Sequence, residues 1–122
     1  MVNQQESVEF QTDRVVCIDR GNVRLFAEII DTTPDRARCW VRPLALAQAI
    51  PTSFDLEFLH DLRETSQLIL PAALFREAVD TEVFPLLSAL FHSDSNPNQE
   101  DSSRQALHQF IQDLYRSGMV MI

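Results

Sequence analysis

The sequence predicts an α+β fold: a small antiparallel SH3-like β-barrel or bent sheet over about residues 8–70, followed by two to three C-terminal helices. Three observations predict it. Turn-forming clusters at Gly21-Asn22 and Asp31-Thr32-Thr33-Pro34-Asp35 separate short runs rich in β-branched and apolar residues. Beyond Pro71 the apolar residues change to spacings of three and four, the helical period. The charge divides at the same place: residues 1–50 hold six Arg against seven Asp or Glu, and residues 51–122 hold four Arg against eleven. A nearly neutral sheet partly covered by acidic helices fits this asymmetry.

The elements follow in order. Residues 8–18 read as one or two strands, joined through Gly21-Asn22 to a run from Val23 to Ile30. The turn at Pro34 leads to a third strand over about Arg36–Leu44. LALAQAI, before Pro51, reads as a helical turn. Phe54–Leu62 fits strand or helix, and Ser66–Leu70, ended by Pro71, fits a strand, with a hairpin around Arg63-Glu64-Thr65. Four or five short strands favour closure or strong bending, which hides unpaired edges. The helical part covers about residues 72–118. Leu74, Phe75, Ala78 and Val79 share one helical face, and a new helix starts near Asp80 because Pro85 is best tolerated close to a first turn. Residues 92–103 read as a flexible loop, and a last helix starts near Ser102 or Ser103 and ends at Gly118.

A chain of 122 residues suits one domain and can bury a core without metals or disulfides. Lysine is absent, which excludes Schiff-base chemistry and a phosphate-loop lysine and leaves Arg as the fixed cation. A net charge of −8 disfavours nucleic acid and anionic membranes as partners. No basic leader precedes an apolar run, and no stretch approaches the roughly 20 apolar residues of a membrane span, so a cytoplasmic location is expected. Cys17 and Cys39, each inside a strand-like run, are expected as small buried hydrophobes.

Strand alternation assigns Ala37, Cys39 and Val41 to one face and Arg38, Trp40 and Arg42 to the other. In the partner strand it separates Val23, Leu25, Ala27 and Ile29 from Arg24, Phe26 and Glu28. One face thus carries Arg24, Phe26, Arg38, Trp40 and Arg42, a set suited to an acidic peptide or carboxylate-rich surface through bidentate and cation–π contacts. The competing expectation is that the protein's own acidic helices lie there.

Catalytic signals are sparse. His60 and Asp61 are adjacent and on a strand would point to opposite faces, and neither Ser53 nor Ser66 has a nucleophile-elbow context. Asp55, Glu57, Asp61 and Glu64 lack the spacing and glycine of a calcium loop and read as a solvated face. His92 and His108 read as surface residues. The leading expectation is a non-enzymatic interaction module without cofactor, an adaptor or assembly factor using Arg24, Phe26, Arg38, Trp40 and Arg42. The alternative is a metal- or small-ligand-binding sensor or enzyme built on Cys17, Cys39, His60 and Asp61, although local zinc-type pairs such as CxxC are absent. The apolar tail Met119-Val120-Met121-Ile122 calls for burial, within the fold or across a homodimer.

The segment LRETSQLILPAALFREAVDTEVFPLL, residues 62–87, resembles a stretch of small uncharacterised cyanobacterial proteins, in which a leucine-rich strand ending in Pro precedes Ala-Leu-Phe-Arg and Asp-Thr-Glu-Val. The resemblance brings no activity, cofactor or catalytic residue. It implies a setting in photosynthetic-complex assembly or regulation, by association.

Overall fold

The computed structural model describes residues 14–53, 55–92 and 97–116, with side chains in the last segment from residue 101. Expectations for residues 8–13, Phe54, the middle of the 92–103 loop, Gly118 and the tail Met119–Ile122 lie outside the described residues. Within them the protein is α+β, an antiparallel sheet of six strands followed by two helices.

The strands are β1 (Val15–Arg20), β2 (Val23–Thr32), β3 (Arg38–Ala49), β4 (Leu56–Asp61), β5 (Leu68–Pro71) and β6 (Arg76–Glu77). The helices are α1 (Asp80–Phe91) and α2 (Pro97–Arg116), and a 3-10 turn, Ala72–Leu74, links β5 to β6. Strands pair in the order β4-β3-β2-β1-β6, with β5 also on β3. No pairing among the described residues joins β6 to β4 or β5, so the path is an open one.

β1 and β2 form a hairpin about Gly21, whose φ of 59° lies in the left-handed region that glycine enters without cost. β3 is the spine. It pairs with β2 over nearly its whole length and shares its other edge between β5, opposite Arg38–Val41, and β4, opposite Ala45–Ala49. The hairpin expected around Arg63-Glu64-Thr65 is therefore corrected: β4 and β5 meet β3 rather than each other. Leu44–Ala49 of LALAQAI is strand, not a helical turn, because it finds hydrogen-bonding neighbours in β2 and β4 that no local pattern encodes. Register shifts between Phe26 and Ala27, between Ile29 and Asp31 and between Leu46 and Ala47 mark bulges, which bend strands and increase twist.

The stretch after Pro71 differs from the expected helix for a similar reason. Leu74 and Phe75 end the 3-10 turn and Ala78 and Val79 form the approach to α1, on either side of β6, because Arg76 and Glu77 pair with Cys17 and Val16. α1 does begin at Asp80, with Pro85 inside the helix at its sixth position. α2 begins at Pro97, several residues before Ser102, with the proline in the first helical position where its missing N–H costs nothing. Residues 97–103, expected in the loop, are helical.

The sheet buries one face and part of the other. One face contributes Val16, Ile18, Leu25, Ala27, Ile29, Cys39 and Val41 to a core closed by Leu107, Phe110 and Leu114 of α2, which recur at three and four residues. The other contributes Cys17, Phe26, Ala45 and Ala47 to a smaller core closed by Leu86 and Leu90 of α1. Each fully buried Ile, Leu or Phe contributes roughly 1.5–3 kcal/mol through removal from water. The larger core thus carries most of the stability, and α1 rests on a few apolar contacts. Among the described residues no helix is long and apolar enough to cross a membrane.

Candidate functional site

The bulge at Leu44 lets Phe26 pair with Ala45 and Ala27 with Pro43, which keeps Arg24, Phe26, Glu28, Trp40 and Arg42 on one face of the sheet. Along that face α1 divides them. It covers the half next to Ala45–Ala49 and leaves the half formed by Arg38–Arg42 uncovered.

In the covered half, Phe26 is fully buried against α1. Its expected role on a binding surface is corrected to a core residue, because Leu86 and Leu90 close over it. Arg24 is also drawn inward: its Nη1 donates to Glu82 Oε2 at 2.7 Å and its Nε lies 3.2 Å from Asp19 Oδ1. Arg76 completes the cluster, donating from Nε to Asp19 Oδ2 at 2.6 Å, and from Nη1 and Nη2 to the two oxygens of Glu82 at 2.9 and 2.7 Å. Glu82 Oε1 also accepts the N–H of Val79 at 3.0 Å, so the carboxylate holds the first turn of α1 and ties it to β2 and β6. The hydrogen bonds from Arg76 hold the Asp19 and Glu82 carboxyls below the usual carboxylate range, against the opposing effect of burial, and Arg76 is shifted up.

A cleft of about 310 Å³ opens beside this cluster, lined by Arg24, Ser53, Asp55, Arg76 and Glu82 among others. Its two arginines already satisfy two carboxylates, so the lining is of mixed sign and its strongest donors are engaged. The cluster works as a clasp for α1. Sequence reasoning missed Asp19 and Arg76 as its members, and the available signal was Glu82 at the third helical position, three residues after the N-cap Val79, as in a capping box.

The uncovered half keeps the expected character. Trp40 is 43% exposed near the start of β3, between Cys39 and Val41, which are wholly buried. Its indole Nε1–H donates to Gln67 Oε1 at 2.9 Å, which fixes the ring. Its cross-strand partner in β5 is Ile69, 58% exposed, so two large apolar side chains stand together. Arg38 and Arg42 flank them in β3, both exposed, and Arg42 Nη1 pairs with Glu28 Oε1 at 3.0 Å. Sequence reasoning missed Ile69 and Gln67, since the β3–β5 pairing that brings them to Trp40 is non-local.

The alternative set is not assembled. Cys17 and Cys39 are both buried, as expected, but in cores on opposite faces, and β2 separates their strands. Burial raises both thiols, which makes them unreactive. Their strands are roughly 10 Å apart in the pairing direction, beyond the reach of a disulfide. His60 lies opposite Leu46 at the sheet edge, and Asp61 is forked by Arg63 at 2.7–3.2 Å. Among the described residues no three His, Cys, Asp or Glu are grouped to hold a metal ion. His92 and His108 are exposed, as are Asp55, Glu57 and Glu64.

No protein-family profile and no curated protein matches the chain. Among solved structures, it is similar to kinase-associated protein B from Bacillus cereus, known from an X-ray crystal structure, at 18% identity and a TM-score of 0.39. The alignment covers 88% of this chain and 99% of that one.

Proposed function

We propose that the protein is a non-enzymatic interaction module of the cytoplasm, an adaptor or assembly factor, that binds an acidic or carboxylate-rich protein surface through Arg38, Trp40 and Arg42. The observation that carries this reading is the half-exposed Trp40 beside the exposed Ile69, flanked by two arginines on a rigid sheet. Arg and Trp dominate binding energies at interfaces because they combine large contact area with directional donors. Arg42 and Glu28 form an exposed pair, worth little where it stands, so a partner carboxylate exchanges for Glu28 at small cost. The bent, bulged sheet supports an SH3-like reading of the β-rich part, with the exposed platform on β3 and β5. Arg24 and Phe26, part of the surface expected from sequence, lie outside the proposed one.

The test is affinity co-purification from native lysate at moderate salt, comparing wild type with Trp40→Ala combined with Arg38→Glu. The variant is expected to lose a specific partner that wild type retains, with far-UV circular dichroism unchanged. Retention of the same partner by the variant, or unfolding of the variant, would remove the basis for this surface.

A further inference from the structure

The turn between β2 and β3, residues 33–37, holds Arg36 at a φ of 61°, and among the described residues no other residue besides glycine has a positive φ. In this left-handed region a β-carbon crowds the neighbouring carbonyl, and glycine escapes the cost. The β1–β2 hairpin meets the same demand with glycine, since Gly21 has a φ of 59°. Hydrogen bonds of the turn keep Arg36 in place. Its N–H donates to the Thr33 carbonyl at 2.7 Å, and the Thr33 N–H donates to the Arg38 carbonyl at 3.0 Å. The Thr33 hydroxyl donates to Asp35 Oδ1 at 2.7 Å and accepts the Arg38 N–H at 3.1 Å, and Asp35 Oδ1 also accepts the Ala37 N–H at 3.0 Å. All of these bonds use backbone or neighbouring side chains, so glycine at position 36 would preserve them. A side chain carried at such cost by a braced turn points to a role for the side chain itself.

We infer that Arg36 is a binding residue of the Trp40 surface, a third cation that takes a carboxylate of an acidic partner segment. This rests on the reading of that surface proposed above. Arg36 is exposed, as are Arg38 two residues on and Arg42 beyond Trp40. The Ala72 N–H donates to the Ala37 carbonyl at 2.8 Å, and Arg38 and Trp40 stand opposite Pro71 and Ile69. The turn is thereby fixed to the same end of the sheet as the Trp40–Ile69 pair. The nearest acids, Asp31 and Asp35, each have one oxygen held by a backbone N–H, of Thr32 and Ala37.

Three guanidiniums around one exposed tryptophan select an acidic segment as the occupant, with its apolar residues on Trp40 and Ile69. A braced turn presents its cation already positioned, so binding costs less conformational freedom than it would from a mobile loop. The arginine lowers the stability of the free protein and raises its affinity for the partner, a division that glycine would reverse.

Trp40 is the sole tryptophan, so its fluorescence reports on this surface without a label. The probe is a synthetic glutamate-rich peptide with a central leucine, titrated into the full chain at low and moderate salt. Wild type should bind it, and more weakly as salt rises. Arg36→Gly should weaken binding about fivefold, through loss of one charge-assisted hydrogen bond, and should raise Tm by about 4 °C through relief of the left-handed position. Arg36→Lys should keep much of the affinity without the rise in Tm, because both the charge and the β-carbon remain. Arg42→Ala is the control for the surface itself. Weaker binding by Arg42→Ala with unchanged binding by Arg36→Gly removes Arg36 from the site and leaves the Trp40 surface standing. Absence of peptide binding by wild type overturns both. A Tm of Arg36→Gly no higher than that of wild type shows that position 36 carries no cost, which also overturns the role given to Arg36.

Discussion

Replacing Glu82 by alanine removes one carboxylate that accepts hydrogen bonds from Arg24, from both terminal nitrogens of Arg76 and from the N–H of Val79. The carboxylate is almost fully buried, at 6% exposure, whereas the side chains of Arg24 and Arg76 are 29% and 38% exposed and retain Asp19 as a partner. Breaking a fully buried pair costs about 3–5 kcal/mol, and an exposed one less than about 1, so the intermediate burial gives about 2 kcal/mol. For a domain of this size that corresponds to a fall in Tm of about 8 °C. The loss should be local before it is global, because the clasp anchors the start of α1, and the rest of the helix is held by Leu86, Leu90 and a hydrogen bond from Arg63 Nη2 to the Leu90 carbonyl. Cys17 lies in the core beneath α1 and reports on its opening. Thermal melts at neutral pH should show the fall in Tm. Thiol labelling under native conditions, resolved by peptide mass spectrometry, should show faster modification of Cys17 with Cys39 unchanged. A Tm within 1–2 °C of wild type, or equal acceleration at both cysteines, would falsify the view that Glu82 holds α1 to the sheet.

Two further predictions concern the same face. Phe26→Ala should cost about 3–5 kcal/mol, as expected for a buried aromatic, whereas Trp40→Ala should cost about 1 kcal/mol, and urea unfolding of both variants checks the division of the stripe into core and surface. Similar costs for the two would refute it. Because the Asp19 and Glu82 carboxyls lie below their ordinary range in the folded protein, their contribution is complete above about pH 5, beyond the ordinary carboxylate range, and is lost as pH falls through the folded values. Wild type and Glu82→Gln should therefore differ in Tm at neutral pH and converge in acid. A difference that persists in strong acid would assign the stabilisation to something other than the charged carboxylate.

The sequence by itself determined the α+β class, the β1–β2 hairpin, the third strand, the start of α1 and the apolar face of α2. Each rests on a local cause: Gly21 entering positive φ, a β-rich apolar run through Val23–Ile30 after the turn, an acidic first turn at Asp80 and Glu82, and the recurrence of Leu107, Phe110 and Leu114. It also assigned Arg38, Trp40 and Arg42 to one face, because alternation with the buried Cys39 and Val41 is local. Only the tertiary structure decided that Leu44–Ala49 is strand, that β4 and β5 share one edge of β3, and that residues 74–79 feed β6 rather than a helix. These outcomes depend on backbone partners tens of residues away, which supply hydrogen bonds that local propensity cannot anticipate. The same distance effect separated Phe26 from Trp40. Alternation gives the face on which a side chain stands, but which half of that face α1 covers follows from where Glu82 meets Arg24 and Arg76.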